Sequence, residues 1–340
     1  MVVSRVLVTG SLGVIGSQLV PELRERGHET FGCDLRHCDQ EETVYMRADV
    51  GDYRQLERVF LEFAPDAVYH LAAEFGRHNG ERNYEQVHRT NYTGTRNVLE
   101  MCKQADARLI FASSSEIYGT CDAEVLREDL SDRLPLWQPN EYALSKWANE
   151  VQIVNFANRH DIDAVRLRFF NAYGPGEHYH PYRSVIALFC HRALHGLPWT
   201  VYDGYYRTFL WHGDFIPTLA NALEQAPSGE VINIGGTDYR SVREVSDIIL
   251  RETGADPDLV TYLPEDVHNV VSKRPDNTLA GRYLSHFPTV TINEGIPKTL
   301  DWMRGLQCQS ATQSSAPSRS STTSRGNRLQ PTYRLTRSGS

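Results

Sequence analysis

The chain has few cysteines, and they stand at irregular spacings. The six are Cys33, Cys38, Cys102, Cys121, Cys190 and Cys308. Because no CxxC pair and no Cys/His cluster with zinc-ligand spacing is present, the sequence predicts neither a disulfide framework nor a structural metal. Scattered thiols of this kind are typical of reduced cysteines in a cytoplasmic protein.

Long apolar runs and blocks of positive charge are also lacking. No stretch approaches the roughly 20 apolar residues that a transmembrane helix needs. The chain enters a short apolar strand at Arg5, without the basic region and cleavage site of a signal peptide. Its formal net charge of −8 is spread along the sequence, which gives no electrostatic footprint for nucleic acid. We therefore expect a cytoplasmic protein that binds neither a membrane nor nucleic acid.

The C-terminal segment 308–340 differs from the rest in composition. From position 310 onward it is rich in Ser and Thr and carries five Arg but no acidic residue. Too few apolar groups are present to offset the entropy of ordering the segment, so we expect a disordered tail. A basic arm for an anionic partner is the alternative.

Upstream of the tail, strand-like and helix-like segments alternate. The predicted strands are 5–9, 29–33, 67–71, 108–112 and 164–168, and the main predicted helices are 15–26, 91–103 and 141–160. This alternation is typical of an α/β fold with a parallel sheet covered by helices. After Gly174-Pro175 the pattern becomes irregular, so we expect a sheet domain over 1–174. Residues 175–307 are predicted to form a smaller C-terminal lobe from which some segments return to the sheet.

A glycine-rich turn lies between the first predicted strand and its helix. Gly10, Gly13 and Gly16 occur in Thr9–Gly16. Glycines there let the backbone turn tightly and approach a pyrophosphate, while the helix N–H groups point at the phosphates. Because a strand precedes the turn, a helix follows it and the next strand ends at Asp34, the context favours a Rossmann-type dinucleotide site over a purely structural turn.

The acidic residue at the end of the second strand bears on the choice of dinucleotide. Asp34 is placed to accept hydrogen bonds from an adenosine ribose and would repel a 2′-phosphate, which favours NAD over NADP. Arg36, two residues on, softens that repulsion. Asp49 follows another strand-like segment; it either reaches the adenine or is an ordinary loop aspartate.

A tyrosine and a lysine stand one helical turn apart in the window 141–160. Tyr142 and Lys146 share one face of that helix. A lysine cation, reinforced by a nicotinamide cation, lowers a phenol pKa toward the range of a general base. Ser114 lies in a serine-rich segment at the end of the fourth strand, where its hydroxyl can stand beside the tyrosine.

Taken together, these motifs resemble those of the NAD-dependent epimerase/dehydratase family, extended short-chain dehydrogenase/reductases that act on nucleotide sugars. The resemblance runs from about Val3 to Arg304. The matching segments are the TGxxGxxG turn at 9–16, His-Leu-Ala-Ala at 70–73, Thr-Asn-x-x-Gly-Thr at 90–95, Ser-Ser-Glu-Ile-Tyr-Gly at 114–119, the YxxxK pair at 142–146, and Arg-Phe-Phe-Asn-Ala-Tyr-Gly-Pro at 168–175.

The resemblance implies a role for individual residues. Tyr142 takes a proton from a sugar hydroxyl, usually at C4, while hydride passes to NAD; Lys146 binds the nicotinamide ribose, and Ser114 hydrogen-bonds the reacting oxygen. Asn171 contacts the sugar diphosphate and Arg207 its phosphates. The residues implied to bind NAD are Gly10, Gly13, Val14, Ile15, Gly16, Asp34, Asp49, Val50, Leu71, Ala72, Ala73, Asn91, Tyr142 and Lys146. A homodimer, formed through the long helices near Asn91 and Glu141, is also implied.

Glu116 bears on which reaction follows the oxidation. In the 4-epimerases of the family this position is usually a small hydroxyl residue, whereas 4,6-dehydratases and uronate decarboxylases commonly have glutamate. After C4 oxidation the C5 proton becomes acidic, so the Glu116 carboxylate is a candidate base for elimination. The alternative is that Glu116 only hydrogen-bonds nearby backbone.

Several positions depart from the family pattern. Arg77 and His78 belong to an unusual segment; they either read a carboxylate or another polar group on the sugar, or face water. The segment 177–184 is a further candidate for substrate recognition. Thr208 replaces the usual aspartate after the phosphate arginine. Val271 stands near the place of another usual arginine, for which Lys273 or Arg274 is a substitute.

The sequence therefore predicts an NAD-dependent nucleotide-sugar epimerase or dehydratase that transiently oxidises C4. Within the class, 4,6-dehydration and 4-epimerisation compete, followed by decarboxylation of a nucleotide-linked uronate. A net 4-dehydrogenase or 4-ketoreductase is a further alternative. A non-catalytic NAD-binding regulator is the rival from another class, although such proteins tend to lose the tyrosine or the lysine.

Overall fold

The computed structural model describes residues 3–38, 44–134, 136–264 and 269–314. Met1–Arg304 is one compact unit and Gly305–Ser340 is a second. The predicted disordered tail falls mostly outside the described residues. Residues 308–314, however, belong to the last helix rather than to that tail. No glycine or proline occurs from 306 to 316, so no helix-breaking residue stops the helix earlier.

The secondary structure follows the predicted alternation. The strands of the described residues are β1 (Arg5–Thr9), β2 (Glu29–Asp34), β3 (Tyr45–Arg47), β4 (Ala67–His70), β5 (Arg108–Ser114), β6 (Ala164–Phe169), β7 (Ala172–Tyr173), β8 (Trp199–Tyr202), β9 (Tyr206–Trp211), β10 (Val231–Ile234), β11 (Asp238–Ser241), β12 (Val260–Leu263) and β13 (Ser272–Lys273). The α-helices are α1 (Gly16–Glu25), α2 (Tyr53–Phe63), α3 (Arg77–Arg82), α4 (Tyr84–Val87), α5 (Gly94–Ala105), α6 (Leu130–Arg133), α7 (Glu141–His160), α8 (Val185–Leu194), α9 (His212–Gln225), α10 (Val242–Thr253), α11 (Thr278–Leu284) and α12 (Ile292–Ser314).

Seven strands form a parallel sheet in the order β10-β6-β5-β4-β1-β2-β3. Every pairing in it is parallel. The strand order reverses direction between β1 and β4, and a crevice opens at that point, beyond the carboxyl ends of the strands. The predicted α/β, Rossmann-type doubly wound fold is confirmed, and β10 is a segment of the C-terminal half that returns to the sheet.

The sheet is buried on both faces. Along β1, Val6 and Val8 belong to one core cluster and Leu7 to another. Because successive side chains of a strand point to opposite faces, the two clusters lie on opposite sides of the sheet. Helices α1 and α9 supply the first cluster, and α2, α5 and α7 supply the second. This burial fixes the strand ends, where the polar residues of the site stand.

The C-terminal half adds two smaller sheets. Strand β9 pairs with β11, β13 and β7, while β8 pairs with β12. Helices α8, α10 and α12 contribute to one apolar cluster with Val201 of β8 and Phe209 of β9. The predicted helix 91–103 is only partly regular, because residues His88–Thr93 form a π-helical turn before α5. Among the described helices, none is both long and apolar enough to cross a bilayer.

Candidate active site

The glycine turn lies at the crevice of the large sheet, between β1 and α1. Gly10 has φ +71°, and a Cβ on it would lie 2.7 Å from the amide nitrogen of Ala72 after β4. A Cβ on Gly16 would overlap the carbonyl oxygen of Gly10. Gly10 combines a positive φ with a close backbone approach, and Gly16 has no room for a Cβ, so glycine is required at both positions. The turn is thus shaped for a phosphate-binding backbone.

Asp34 closes one end of this crevice. Its carboxylate accepts hydrogen bonds from the amide nitrogens of Leu12, at 3.1 Å, and Arg36, also at 3.1 Å. The Arg36 guanidinium lies 3.5 Å from the same carboxylate. Asp34 is therefore anchored to the glycine turn and lines the cavity, where a carboxylate suits a ribose diol. The glycines and Asp34 fit the dinucleotide NAD.

A cavity of about 460 Å³ extends from this turn and takes in most of the predicted NAD residues. Those that line it are Gly10, Gly13, Val14, Ile15, Gly16, Asp34, Asp49, Val50, Leu71, Ala72 and Ala73. Asp49 also accepts from the Gly51 amide and forms an ion pair with Arg89 at 2.7 Å. Its predicted adenine contact therefore stays a prediction.

Asn91, also predicted to bind NAD, is fully engaged with the protein. Its Oδ1 accepts from the Glu74 amide at 2.9 Å, and its Nδ2 donates to the Glu74 carbonyl and to Ser145 Oγ. The residue is buried inside the π-helical turn. It ties the segment after β4 to α7, and its predicted contact with NAD stays a prediction.

Ser114, Tyr142 and Lys146 converge at the carboxyl end of β5. Asn140 caps α7 by accepting from the Ala143 amide at 2.9 Å, which starts the helix just before the tyrosine. The Lys146 ammonium donates to the Ala112 carbonyl at 2.6 Å and lies 5.9 Å from the Tyr142 ring centroid. The Ser114 side chain lies close enough to the Tyr142 hydroxyl to lower its pKa. The structure thus brings together the predicted Ser-Tyr-Lys set.

The pKa of Tyr142 is raised, whereas a nearby lysine cation alone would lower it. Burial raises its pKa to about 12; the Ser114 side chain opposes this rise, and the Glu116 charge adds to it. Burial also lowers the pKa of Lys146 to about 8, against the attraction of Glu150. The protein's own groups therefore do not bring the phenol pKa near neutrality, because desolvation outweighs them. The cation of a bound nicotinamide is the further contribution that the sequence argument invoked.

A buried ionic network supports Lys146 from behind. Glu150, one turn further along α7, accepts from Arg168 at 2.9 and 2.7 Å and from the Ser113 hydroxyl. Arg168 also donates to the Tyr118 hydroxyl at 2.9 Å. Burial acts to raise the pKa of Glu150, but the opposing effect of Arg168 is larger. The net pKa is therefore lowered, and the carboxyl stays ionised. Its negative charge favours the charged form of Lys146.

Glu116 forms an ion pair with Lys273, which arrives from β13. Only 2% of the Lys273 side chain is exposed, and 19% of that of Glu116. Burial raises the Glu116 pKa, but Lys273, then Arg77 and Arg207, lower it below its usual range. Burial lowers the pKa of Lys273 to about 8, so both partners are charged at neutral pH. The alternative in which Glu116 serves only to bond backbone does not describe this side chain.

A second cavity, of about 330 Å³, lies next to Tyr142 and Glu116. Arg77, His78, Asn171 and Arg207, all predicted to bind substrate, line it. The rest of its wall comes mainly from the C-terminal half and includes Tyr182, Arg183, Leu188, Phe189, Thr200, Tyr202, Tyr205 and Phe209. A largely apolar cavity with a few convergent polar groups is typical of a small-molecule site.

The two residues predicted to bind phosphate have side chains that are held in place by hydrogen bonds within the protein. The Asn171 side chain donates to the Thr208 carbonyl at 3.1 Å, and Asn171 has φ +41°. The Arg207 guanidinium donates to Asn269 Oδ1 at 2.7 Å and to the Val271 carbonyl at 3.0 Å. Both residues line the cavity in fixed orientations, and their phosphate contacts stay predictions.

Two residues outside the predicted site set belong to the site. Lys273 was named only as a substitute for a missing arginine, and no local motif marks it as the partner of Glu116. Arg183 lines both cavities, and its guanidinium lies 4.7 Å from the Phe75 ring centroid. The prediction that 177–184 borders the substrate pointed to this region. Within the described ranges no group of metal-ligating side chains is found, and the five described cysteines are free.

Comparison with known proteins identifies the family. The profile of the NAD dependent epimerase/dehydratase family matches residues 6–235. A UDP-N-acetyl-alpha-D-glucosaminuronate decarboxylase of Bacillus cytotoxicus is 30% identical over 89% of this chain and 98% of its own. A UDP-glucose 4-epimerase of Mycolicibacterium smegmatis is 30% identical over 88% and 98%. The solved UDP-glucose 4-epimerase of Thermus thermophilus with NAD is 30% identical, covers 88% of this chain and 99% of its own, and superposes with a TM-score of 0.80.

The chain belongs to the NAD-dependent epimerase/dehydratase family. The resemblance inferred from its motifs is thus confirmed, and so is the expectation of an NAD-dependent enzyme of nucleotide sugars. Relatives of nearly equal identity carry out different reactions on UDP-sugars, so the choice among reactions rests on this chain's own residues.

Proposed function

We propose that this protein oxidises C4 of a nucleotide-linked sugar and then carries out acid–base chemistry at C5, which on a neutral sugar ends in 4,6-dehydration. The observation that carries the proposal is the partly buried Glu116 carboxylate, held ionised by the buried Lys273 in the cavity that Tyr142 also lines. A simple 4-epimerase needs no base at C5, whereas an elimination across C5–C6 does.

Each residue has a physical task in this reaction. Bound NAD supplies a hydride acceptor for C4 and, once reduced, the donor that ends the cycle. Tyr142 receives the proton of the C4 hydroxyl, and Ser114 holds that oxygen by a hydrogen bond. Lys146, kept charged by Glu150, stabilises the Tyr142 phenolate that accepts this proton. Lys273 keeps Glu116 in the base form, so that Glu116 takes the C5 proton, which the neighbouring C4 ketone makes acidic. The C6–O bond then breaks, and the C6 hydroxyl leaves as water with the proton that Glu116 has taken.

Incubation with a panel of UDP-, GDP-, dTDP- and CDP-sugars tests the proposal. Products are followed by mass and by proton NMR. Loss of one water with a 4-keto signature supports dehydration. An unchanged mass with an inverted C4 contradicts it and leaves Glu116 without a chemical role. The matched controls are Tyr142→Phe, expected to be inactive, and Arg82→Leu, at an exposed position of α3.

Decarboxylation of a nucleotide-linked uronate is the second candidate, favoured by the Lys273 cation beside Glu116. A 4-keto uronate is a β-keto acid, which releases carbon dioxide and leaves an electron pair delocalised between C5 and the C4 oxygen. An ammonium group next to C5 stabilises that charge and supplies a proton. The same panel identifies this outcome through loss of the mass of carbon dioxide.

A homodimer is the proposed assembly. Leu144, Trp147 and Val151 form an exposed stripe on α7, with 37%, 38% and 43% of each residue accessible. Their spacing places them on one helix face, which suits a second copy of the chain. In sedimentation, Trp147→Glu is expected to give a monomer, and Leu61→Glu on the exposed face of α2 is the control. A monomeric wild type contradicts the assembly.

A cytoplasmic location is proposed from the thiol content alone.

The rival function, a non-catalytic NAD-binding regulator, makes an opposite prediction. Under the rival, NAD binds but no sugar nucleotide in the panel is converted, and Tyr142→Phe changes nothing. The proximity of Ser114 to Tyr142 and the buried network behind Lys146 favour catalysis. Burying polar groups costs free energy, and a protein that only binds NAD does not need these groups buried at this place.

A further inference from the structure

The loop 177–184, which leads into α8, is closed on itself. The carboxylate of Glu177, a residue that is 6% exposed, accepts from the Ser184 amide at 2.9 Å and from the Ser184 hydroxyl at 2.7 Å. Ser184 also caps α8, because its hydroxyl accepts from the Ala187 amide at 3.3 Å. Both ends of the loop are therefore fixed at the start of α8, and the residues between them have a set position.

This loop lies beside two segments of the cofactor cavity. Just before it, the Pro175 carbonyl accepts from Gln18 Nε2 of α1 at 3.2 Å, and the same amide group donates to the Val14 carbonyl at 2.8 Å. Near its other end, a Cβ on Gly76 would lie 3.1 Å from the Cβ of Tyr182. The loop is thus held against the glycine turn on one side and against the segment after β4 on the other.

Arg183, in this loop, is held through its Nε and the face of an aromatic ring. Its Nε donates to the His178 carbonyl at 3.2 Å, and its guanidinium lies 4.7 Å from the Phe75 ring centroid. Among the described residues, none accepts a hydrogen bond from its two Nη groups, and no carboxylate forms an ion pair with it. A partly buried guanidinium with unused N–H donors is suited to bind an anion.

The surroundings of this guanidinium favour the cofactor over the sugar nucleotide. Arg183 lines both cavities, but of the two, Phe75 beneath it lines only the cofactor cavity. Burial lowers the pKa of Arg183, Glu177 opposes this change, and Arg36 adds to it. Arg36 and Arg183 are the two cationic residues among the described lining of the cofactor cavity, and Arg36 already lies 3.5 Å from the Asp34 carboxylate. Arg183 is thus the cation that this cavity leaves without a carboxylate partner.

We propose that Arg183 binds the diphosphate of NAD. The glycine turn presents backbone N–H groups to phosphate oxygens, and a guanidinium adds a full positive charge and two parallel hydrogen bonds. A sugar nucleotide also carries a diphosphate, but the contact with Phe75 and the influence of Arg36 assign Arg183 to the cofactor. The inference goes beyond the proposed function, since it holds whatever reaction follows the oxidation of C4. It gives the C-terminal half of the chain a direct part in retaining NAD.

Release of cofactor from the full chain tests the inference. Protein loaded with labelled NAD, or with labelled ADP-ribose, is diluted into an excess of unlabelled NAD, and the release rate is measured. Arg183→Leu is expected to speed the release of both by about 10- to 100-fold, the value of hydrogen bonds to a charged group. Calorimetry on the NAD-loaded protein gives the Kd for whichever of UDP, GDP, dTDP and CDP the wild type binds best, and this Kd is expected to change less than about twofold.

Three further variants separate charge from packing. Arg183→Lys keeps the charge and is expected to release NAD at an intermediate rate, whereas Arg183→Gln keeps donors without charge and is expected to resemble Arg183→Leu. The matched control is Arg192→Leu, which removes an arginine of α8 that lines neither cavity. Its release rate is expected to equal that of the wild type.

Each other outcome overturns the inference. Faster release of NAD with unchanged release of ADP-ribose places the contact at the nicotinamide end. A weaker Kd for the nucleoside diphosphate with unchanged release of NAD assigns Arg183 to the sugar nucleotide, and equal changes in both indicate a loop displaced as a whole. Wild-type retention in Arg183→Gln means that Arg183 contacts an uncharged part of the cofactor. Unchanged release in Arg183→Leu, or an equal increase in Arg192→Leu, shows that Arg183 has no specific part in holding NAD.

Discussion

Replacing Lys273 by methionine removes one partner of a buried ion pair and keeps much of its volume. The lysine side chain is 2% exposed and its only carboxylate contact among the described residues is with Glu116. Methionine leaves that carboxylate facing apolar surroundings and two arginines that line the same cavity. The change therefore alters both the stability of the fold and the protonation of Glu116.

The expected loss of stability follows from the burial of the pair. Removing one partner of a buried pair costs about 3–5 kcal/mol, because an uncompensated charge is left behind. For a unit of this size that corresponds to a fall in Tm of roughly 6–10 °C, from about 2 °C per kcal/mol. The Glu116 side chain is 19% exposed, which places the expected loss at the lower end of that range.

The pH profile is expected to move as well. In the wild type, Lys273 keeps the pKa of Glu116 below its usual range, so the base form persists well into acid. Without the cation, burial dominates and the Glu116 pKa rises. The acid limb of kcat then moves to higher pH in Lys273→Met. In Lys273→Arg, which keeps the charge, the limb is expected to stay near its wild-type position.

A double-mutant cycle with Glu116→Gln separates the pair from its surroundings. Calorimetric Tm values and urea unfolding of the wild type, both single variants and the double variant give the coupling energy. We expect about 2 kcal/mol of coupling, within the range of contacting charged groups. Additive losses together with an unmoved acid limb would refute the reasoning, because Lys273 would then neither stabilise Glu116 nor set its protonation.

Three further outcomes follow from the same structure. Gly10→Ala is expected to weaken NAD binding by at least about tenfold, measured by fluorescence titration. The control is Gly196→Ala, at a position with φ +62° and nothing within 4 Å; it costs only the backbone strain and leaves the Kd for NAD unchanged. Equal Kd values in the two variants contradict the role of the turn. Asp34→Ala is expected to improve NADP binding relative to NAD by at least about tenfold by removing charge repulsion; an unchanged ratio argues that Asp34 does not face the ribose. His70 lies between the hydroxyls of Thr9 and Thr95, and burial lowers its pKa to about 3; its contribution is present above its unfolded pKa of about 6.5 and is lost as pH falls toward 3. From pH 7 to pH 5 this costs at most about 2 kcal/mol, a loss that urea unfolding is expected to show in the wild type and not in His70→Gln.

The sheet and the arrangement of Tyr142 and Lys146 were predictable because they depend on local sequence. The alternation of apolar residues located the five predicted strands of the large sheet, and α7 spans the predicted 141–160. Tyr142 and Lys146 stand one turn apart on that helix, so helical geometry alone places them together. The glycine turn was likewise recognisable, since Gly10 and Gly16 each meet a steric demand that no other residue satisfies.

The parts that escaped prediction depend on contacts between distant segments. Lys273 reaches Glu116 only because β13 pairs with β9 in the C-terminal half, where the sequence pattern is irregular. Asp49 has an ion-pair partner, Arg89, 40 residues away. The π-helical turn before α5 places Asn91 against Glu74 and Ser145, whereas a regular 3.6-residue period predicted one continuous helix.

The most direct test of the account is to run the reaction in D2O with a nucleotide sugar that the protein converts. Products of the wild type and of Glu116→Gln are compared by proton NMR and mass. The account predicts deuterium at C5 of the wild-type product, because chemistry at C5 exchanges its hydrogen with solvent, and no such product from Glu116→Gln. A product with inverted C4 and no deuterium at C5, formed equally well by Glu116→Gln, would contradict it.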